Sequence, residues 1–168
     1  MANDSPGLGE WDSRSPVVAT MLNPALFAAI FAASAEEYER RAGKSMPWEL
    51  VFIIAPLVLH RDTRAALPRT TASHLSAWIA NHPTIHAGFP ERAKAMVPHV
   101  REGLRFALRE GVLDVDETGL LTGSLPAKAR PANTGDVREI VRAAAFLGRW
   151  LTKIERSSTV YGYFGVTP

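Results

Sequence analysis

Five histidines are the side chains of this sequence best suited to acid–base or metal chemistry: His60, His74, His82, His86 and His99. His82 and His86 stand four residues apart, the spacing that sets two imidazoles on one helix face. Pro83 lies between them and Glu91 is the nearest carboxylate, so a metal set is not completed. His60 and Asp62 are two residues apart beside an apolar run, which fits a helix-end histidine near a C-terminal dipole better than an acid–base pair. No cysteine is present, which removes thiol catalysis, thiolate metal sites and disulfides, and fits a reducing cytoplasm. No G-x-S-x-G, phosphate loop or dinucleotide fingerprint occurs. The pairs Glu36/Glu37 and Asp116/Glu117 read as solvated. The expectation is a chain without catalytic residues, metal or cofactor.

The basic residues are more informative. Arg138, Arg142, Arg149, Lys153 and Arg156 fall in one narrow sector of a final helix, beside Trp150 and ahead of an aromatic tail with Tyr161, Tyr163 and Phe164. Tyr, Trp and Arg are enriched where partners dock, so these nine residues are the candidate contact surface for a protein or for DNA. Arg101, Arg105 and Arg109 form a second ridge at i, i+4, i+8, interrupted by Glu102 and Glu110. Such stripes are commonly solvated faces, and tail aromatics commonly pack on their own core. Net charge is only +2. Residues 23–168 carry 18 basic against 14 acidic side chains, which permits nucleic-acid contact without requiring it.

These residues need elements to hold them. With 168 residues and 46% hydrophobic content the chain can bury a core. Residues 1–22 lack periodicity and read as a mobile arm, with Trp11, Val17, Val18, Met21 and Leu22 able to dock part of it; residues 23–168 read as a single helical domain. Asn23-Pro24 starts a helix that Gly43 stops. A second helix begins near Ser45 or Pro47 and carries Leu50–Leu59, with Pro56 expected to kink it. That run is half of the about 20 residues a bilayer span needs, and the first ten residues do not resemble a secretory leader, so it is expected to be the central core helix of a cytoplasmic protein. Trp48 and Trp78 join the core. Short helices are expected at 61–67 and 71–81. A longer one opens at Pro90, is kinked or restarted at Pro98, and ends at Gly111. Residues 112–122 then read as a short hairpin, 123–134 as a loop, and 136–154 as an amphipathic helix. The result is a mainly α, compact helical domain with one short β-hairpin, an order also used by winged-helix domains.

Several runs carry a resemblance: Asn23-Pro24-Ala25, Ile54–His60, Leu67-Pro68, Phe89 with Arg92-Ala93, Arg101–Phe106, Gly111–Leu113, Leu147–Trp150 and Tyr163–Pro168. In this order and spacing, over residues 20 to 168, the chain resembles the middle component of bacterial three-component ABC systems. That resemblance implies an adaptor without catalytic residues. Its partners would be an SMC/RecN-like ABC ATPase and a variable third effector protein, in defence against phage or other invading DNA. DNA would be reached through the complex, with no membrane or small-molecule substrate involved. The competing reading is a winged-helix DNA-binding regulator.

Overall fold

The structure, a computed structural model, describes Ser15, residues 22–127, Arg130 and residues 135–167. The expected N-terminal arm therefore lies outside the described residues, apart from Ser15 and Leu22, and so does much of the 123–134 loop.

Helix α1 (Pro24–Ala42) is built as its sequence dictates. The Asn23 side chain accepts from the Ala25 amide at 2.8 Å, Pro24 occupies the first turn, and Gly43 closes the helix at φ 69°. A 3-10 turn (Trp48–Leu50) leads into α2 (Val51–Leu59), which is buried nearly all round. Helices α3 (Arg61–Ala65) and α4 (Leu75–Ala80) are short. Helix α5 spans Pro83–Arg109. Strands β1 (Leu113–Val115) and β2 (Leu121–Gly123) pair antiparallel, with Asp114 opposite Thr122. Helix α6 runs from Asp136 to Leu151, and α7 from Ser157 to Tyr163. The described residues are thus mainly helical with one hairpin.

The helix limits and the central element differ from the expectation. Helix α5 starts at Pro83, ahead of Pro90, and runs through Pro90 and Pro98 without a break. Pro98 removes a bond to the carbonyl of Lys94, and both residues are exposed, so water can satisfy the freed group. Helix α2 likewise continues through Pro56. It is core, as expected, yet the shared packing element is α1, against which α5, α6 and both strands lie. Small residues permit this. A Cβ on Gly148 of α6 would sit 2.2 Å from the Ser34 carbonyl oxygen, and one on Gly103 of α5 would sit 2.4 Å from Phe27 Cβ. Helix α1 answers with Ala28, Ala32, Ala33 and Ala35, so backbones meet almost directly.

The hairpin does not stand away from the body. Leu113 and Leu121 are buried, and Met46 bonds Leu121 in both directions at 2.8 and 2.9 Å. Asp116 organises its turn, accepting from the Thr118 amide and hydroxyl and the Leu120 amide at 2.6–3.0 Å. Bonds from Ser45, Thr118 and Leu120 hold its carboxyl well below the usual carboxylate range.

Candidate functional site

Helix α2 ends at His60, whose backbone is extended, so the chain turns and α3 starts at once. The His60 ring serves as the cap: Nδ1 lies 2.8 Å from Thr63 Oγ1 and accepts the Thr63 amide at 3.3 Å. His60 thus stands at the end of α2, as expected, and its ring also serves as an acceptor at the start of α3. Arg64 donates back to the Val58 carbonyl at 2.7 Å, and Trp78 Nε1 donates to the Ala66 carbonyl at 2.8 Å. These bonds hold α3 and the following residues across from α6. Between them opens a cleft of about 560 Å³, lined by Arg61, Arg64 and Arg69 on one side and Arg142 and Arg149 on the other. Leu67, Pro68, Ala143 and Phe146 supply apolar wall, and Glu139 is the one carboxylate in the lining among the described residues.

The five guanidinium groups differ in state. Arg149 donates to Glu37 Oε2 at 2.7 Å, with the glutamate largely enclosed, and Arg40 pairs with the other oxygen of the same carboxylate. Arg149 is therefore committed to joining α6 and α1. Arg64 is half-buried with its carbonyl bond. Arg61, Arg69 and Arg142 are exposed.

The structure disperses the remaining sequence candidates. Trp150 is 2% exposed; its indole donates to the Ser73 carbonyl at 2.7 Å, and its ring packs edge-on against Trp78 at 5.8 Å and beside Phe146 at 5.6 Å. Phe164 is fully buried on Phe89, with centroids 4.5 Å apart. Tyr161 is buried, donates its hydroxyl to the Glu49 carbonyl at 2.7 Å, and has its pKa pushed up to about 12 by burial and by the nearby Glu49 charge. Tyr161 and Phe164 thus hold the tail on the core, Trp150 ties α6 to Trp78 of α4, and all three side chains are buried. Helix α6 ends at Leu151, so Lys153 and Arg156 lie beyond it and leave the sector defined by Arg138, Arg142 and Arg149. Both are exposed, as is Tyr163, which borders a small recess with Lys153 and His74. Arg138 is half-buried.

On α5, Arg101, Arg105 and Arg109 are all exposed, with Arg109 over the Phe106 ring at 5.4 Å. Arg101 also borders an apolar groove of about 700 Å³ between the Trp48–Phe52 segment, α5 and the tail at Val166. Trp48 is 51% exposed at its edge, against the expectation of a core residue. It precedes α2 on a 3-10 turn, whose phase carries it off the buried face. His82 Nδ1 lies 2.7 Å from the Trp78 carbonyl at the start of α5. Among the described residues no three His, Asp or Glu side chains group as a metal set.

The arginines of α3 and its following loop were not singled out in the sequence. They are scattered over positions 61–69 and meet α6 only through the fold. The tandem of Arg61, Arg64 and Arg69 after an apolar run was the available signal.

Comparison with known proteins gives one match. The profile of the family described as ABC-three component (ABC-3C) system Middle Component 3 matches residues 11–168. No curated protein and no solved structure matches.

Proposed function

Since the chain belongs to the ABC-three component (ABC-3C) system Middle Component 3 family, we propose that it is a non-enzymatic adaptor. It couples an SMC/RecN-like ABC ATPase to a third, variable effector in the cytoplasm, in defence against phage or other invading DNA. The observation that carries this reading is the family match over nearly the whole chain, since a middle component works beside two others. The site chemistry is consistent with binding. His60 and His82 make bonds at helix ends, and the arginines converge on an open cleft. No helix among the described residues is long and apolar enough to cross a membrane.

The exposed members of the sequence candidates, Arg142, Lys153, Arg156 and Tyr163, are the contact residues of this proposal, with Arg138 beside them. Exposed charge steers encounter and sets register. Residues 23–168 act as one helical domain in this reading.

The test is co-expression of the chain with the ABC ATPase encoded beside it. The adaptor reading expects the two to co-purify, and expects Arg142→Glu/Lys153→Glu/Arg156→Glu to weaken the association while melting like the parent. Separate elution of the wild-type proteins at micromolar concentration refutes it.

A further inference from the structure

We infer that the cleft between α3 and α6 is a binding site for the phosphodiester backbone of a nucleic acid, held by Arg61, Arg69 and Arg142. The inference goes beyond the adaptor reading, and it is tested on this chain alone, so either can fail without the other.

Charge in the cleft is unbalanced. Five arginines line it against Glu139. Glu37 takes up one of those charges through Arg149, and Arg64 is anchored on the Val58 carbonyl. Three guanidinium groups therefore remain exposed around one concavity, on two elements joined by a rigid buried helix. Like charges brought together by folding repel, and an anion that enters the cleft relieves the repulsion left over by Glu139.

Among the described residues the cationic lining is entirely arginine. The planar fork of Arg matches a phosphate through two parallel N–H bonds, which a lysine ammonium cannot do. Arg61, Arg69 and Arg142 stand exposed on the lining of one open cleft of about 560 Å³, an arrangement that suits a ligand with several charges along its length better than a small anion. A phosphodiester chain fixes its charges on the backbone itself, about one per 3.4 Å along each strand of a duplex. An acidic peptide offers at most one carboxylate per about 3.3 Å of extended chain, on side chains that must be ordered first. The anchored pair serves a different purpose: Arg64 and Arg149 fix the walls at their roots, so the three outer groups start from a preorganised frame.

The experiment is fluorescence anisotropy of the full chain with a short duplex DNA over a salt series. Wild type is expected to bind at low salt. Arg61→Ala/Arg69→Ala/Arg142→Ala is expected to weaken binding by about tenfold or more and to lower the slope of log K against log salt by up to about 3, close to one unit per lost phosphate contact. Its melting temperature should match wild type, since all three side chains are exposed. Arg101→Ala/Arg105→Ala/Arg109→Ala, on the ridge of α5, should leave both affinity and slope unchanged. Failure of wild type to bind the duplex overturns the inference. So does an unchanged slope in the cleft variant, or loss of binding in the ridge variant instead. Displacement of the duplex by ATP or inorganic phosphate at equal phosphate concentration assigns the cleft to a small anion, and displacement by a polyglutamate peptide at equal charge assigns it to an acidic protein; either result overturns the polynucleotide assignment.

Discussion

Replacing Gly148 by Ala should destabilise the protein, although helix propensity alone says the reverse. Gly148 lies inside α6, where exchange of glycine for alanine is worth about 1 kcal/mol in favour of the helix. Its Cβ would stand 2.2 Å from the Ser34 carbonyl oxygen and 3.0 Å from the Ser34 carbonyl carbon and Cα. Those atoms belong to α1 and cannot rotate aside, so the two helices must part by about 1 Å where they cross, a gap that forfeits a quarter to a half of each contact well. Overpacking of this kind costs about 1–3 kcal/mol and sometimes more. With backbone as the obstacle the upper end applies, leaving a net loss of about 2 kcal/mol after the propensity gain. At this chain length that lowers the melting temperature by roughly 4–8 °C. Circular dichroism at 222 nm through a thermal ramp, repeated in urea, reads it directly. Gly162→Ala is the matched control. Gly162 lies in α7 with nothing within 4 Å of its would-be Cβ, so alanine there should stabilise by roughly 0.5–1 kcal/mol. A Gly148→Ala variant that melts at or above wild type refutes the close α1–α6 crossing.

Three further outcomes are expected. Ile53→Asp places a charge at a fully buried position, at a cost of several kcal/mol against a total of roughly 5–15, so it should yield unfolded or insoluble chain; a folded variant with an unchanged melting temperature contradicts the placement of α2. Tyr161 holds its proton more tightly folded than unfolded, so its contribution to stability is complete below about pH 10 and fades as pH rises towards 12. Its phenolate absorbance near 295 nm, isolated by difference against Tyr161→Phe, should titrate near pH 12, and an ordinary midpoint near 10 would show the hydroxyl to be free. Asp116→Ala should lower the melting temperature more than Asp116→Asn, because Asn keeps the oxygen that accepts the Thr118 and Leu120 bonds. Its depressed folded pKa means this support is present above the ordinary carboxylate value and is lost as pH falls through the folded one, so the difference between Asp116→Ala and wild type should shrink in strong acid.

The helix limits at Asn23-Pro24 and Gly43 were legible because capping is a local property, and the hairpin was legible because the apolar period changes after Gly111, which sits at φ 68°. The burial of Trp150 was not. A stripe argument gives α6 one buried face, through Ile140, Ala144, Leu147 and Leu151. Helix α6 has two: α1 covers that face, while Ser73 and Trp78 cover the side that carries Trp150. Gly103 and Gly148 stand in the sequence as isolated helix glycines, and only their distance to Phe27 and Ser34 reveals a packing role. The arginine cleft was half visible, through Arg142 and Arg149. Its other wall lies more than 70 residues upstream and joins it only in the folded chain.

Coupling requires that the middle protein be the bridge. The most direct measurement is size-exclusion chromatography of the ABC ATPase and the third component encoded alongside this chain, mixed with and without it. The adaptor account predicts that ATPase and effector elute together when the chain is present and separately when it is absent. Co-elution of the two in its absence, to the same extent as in its presence, would contradict it.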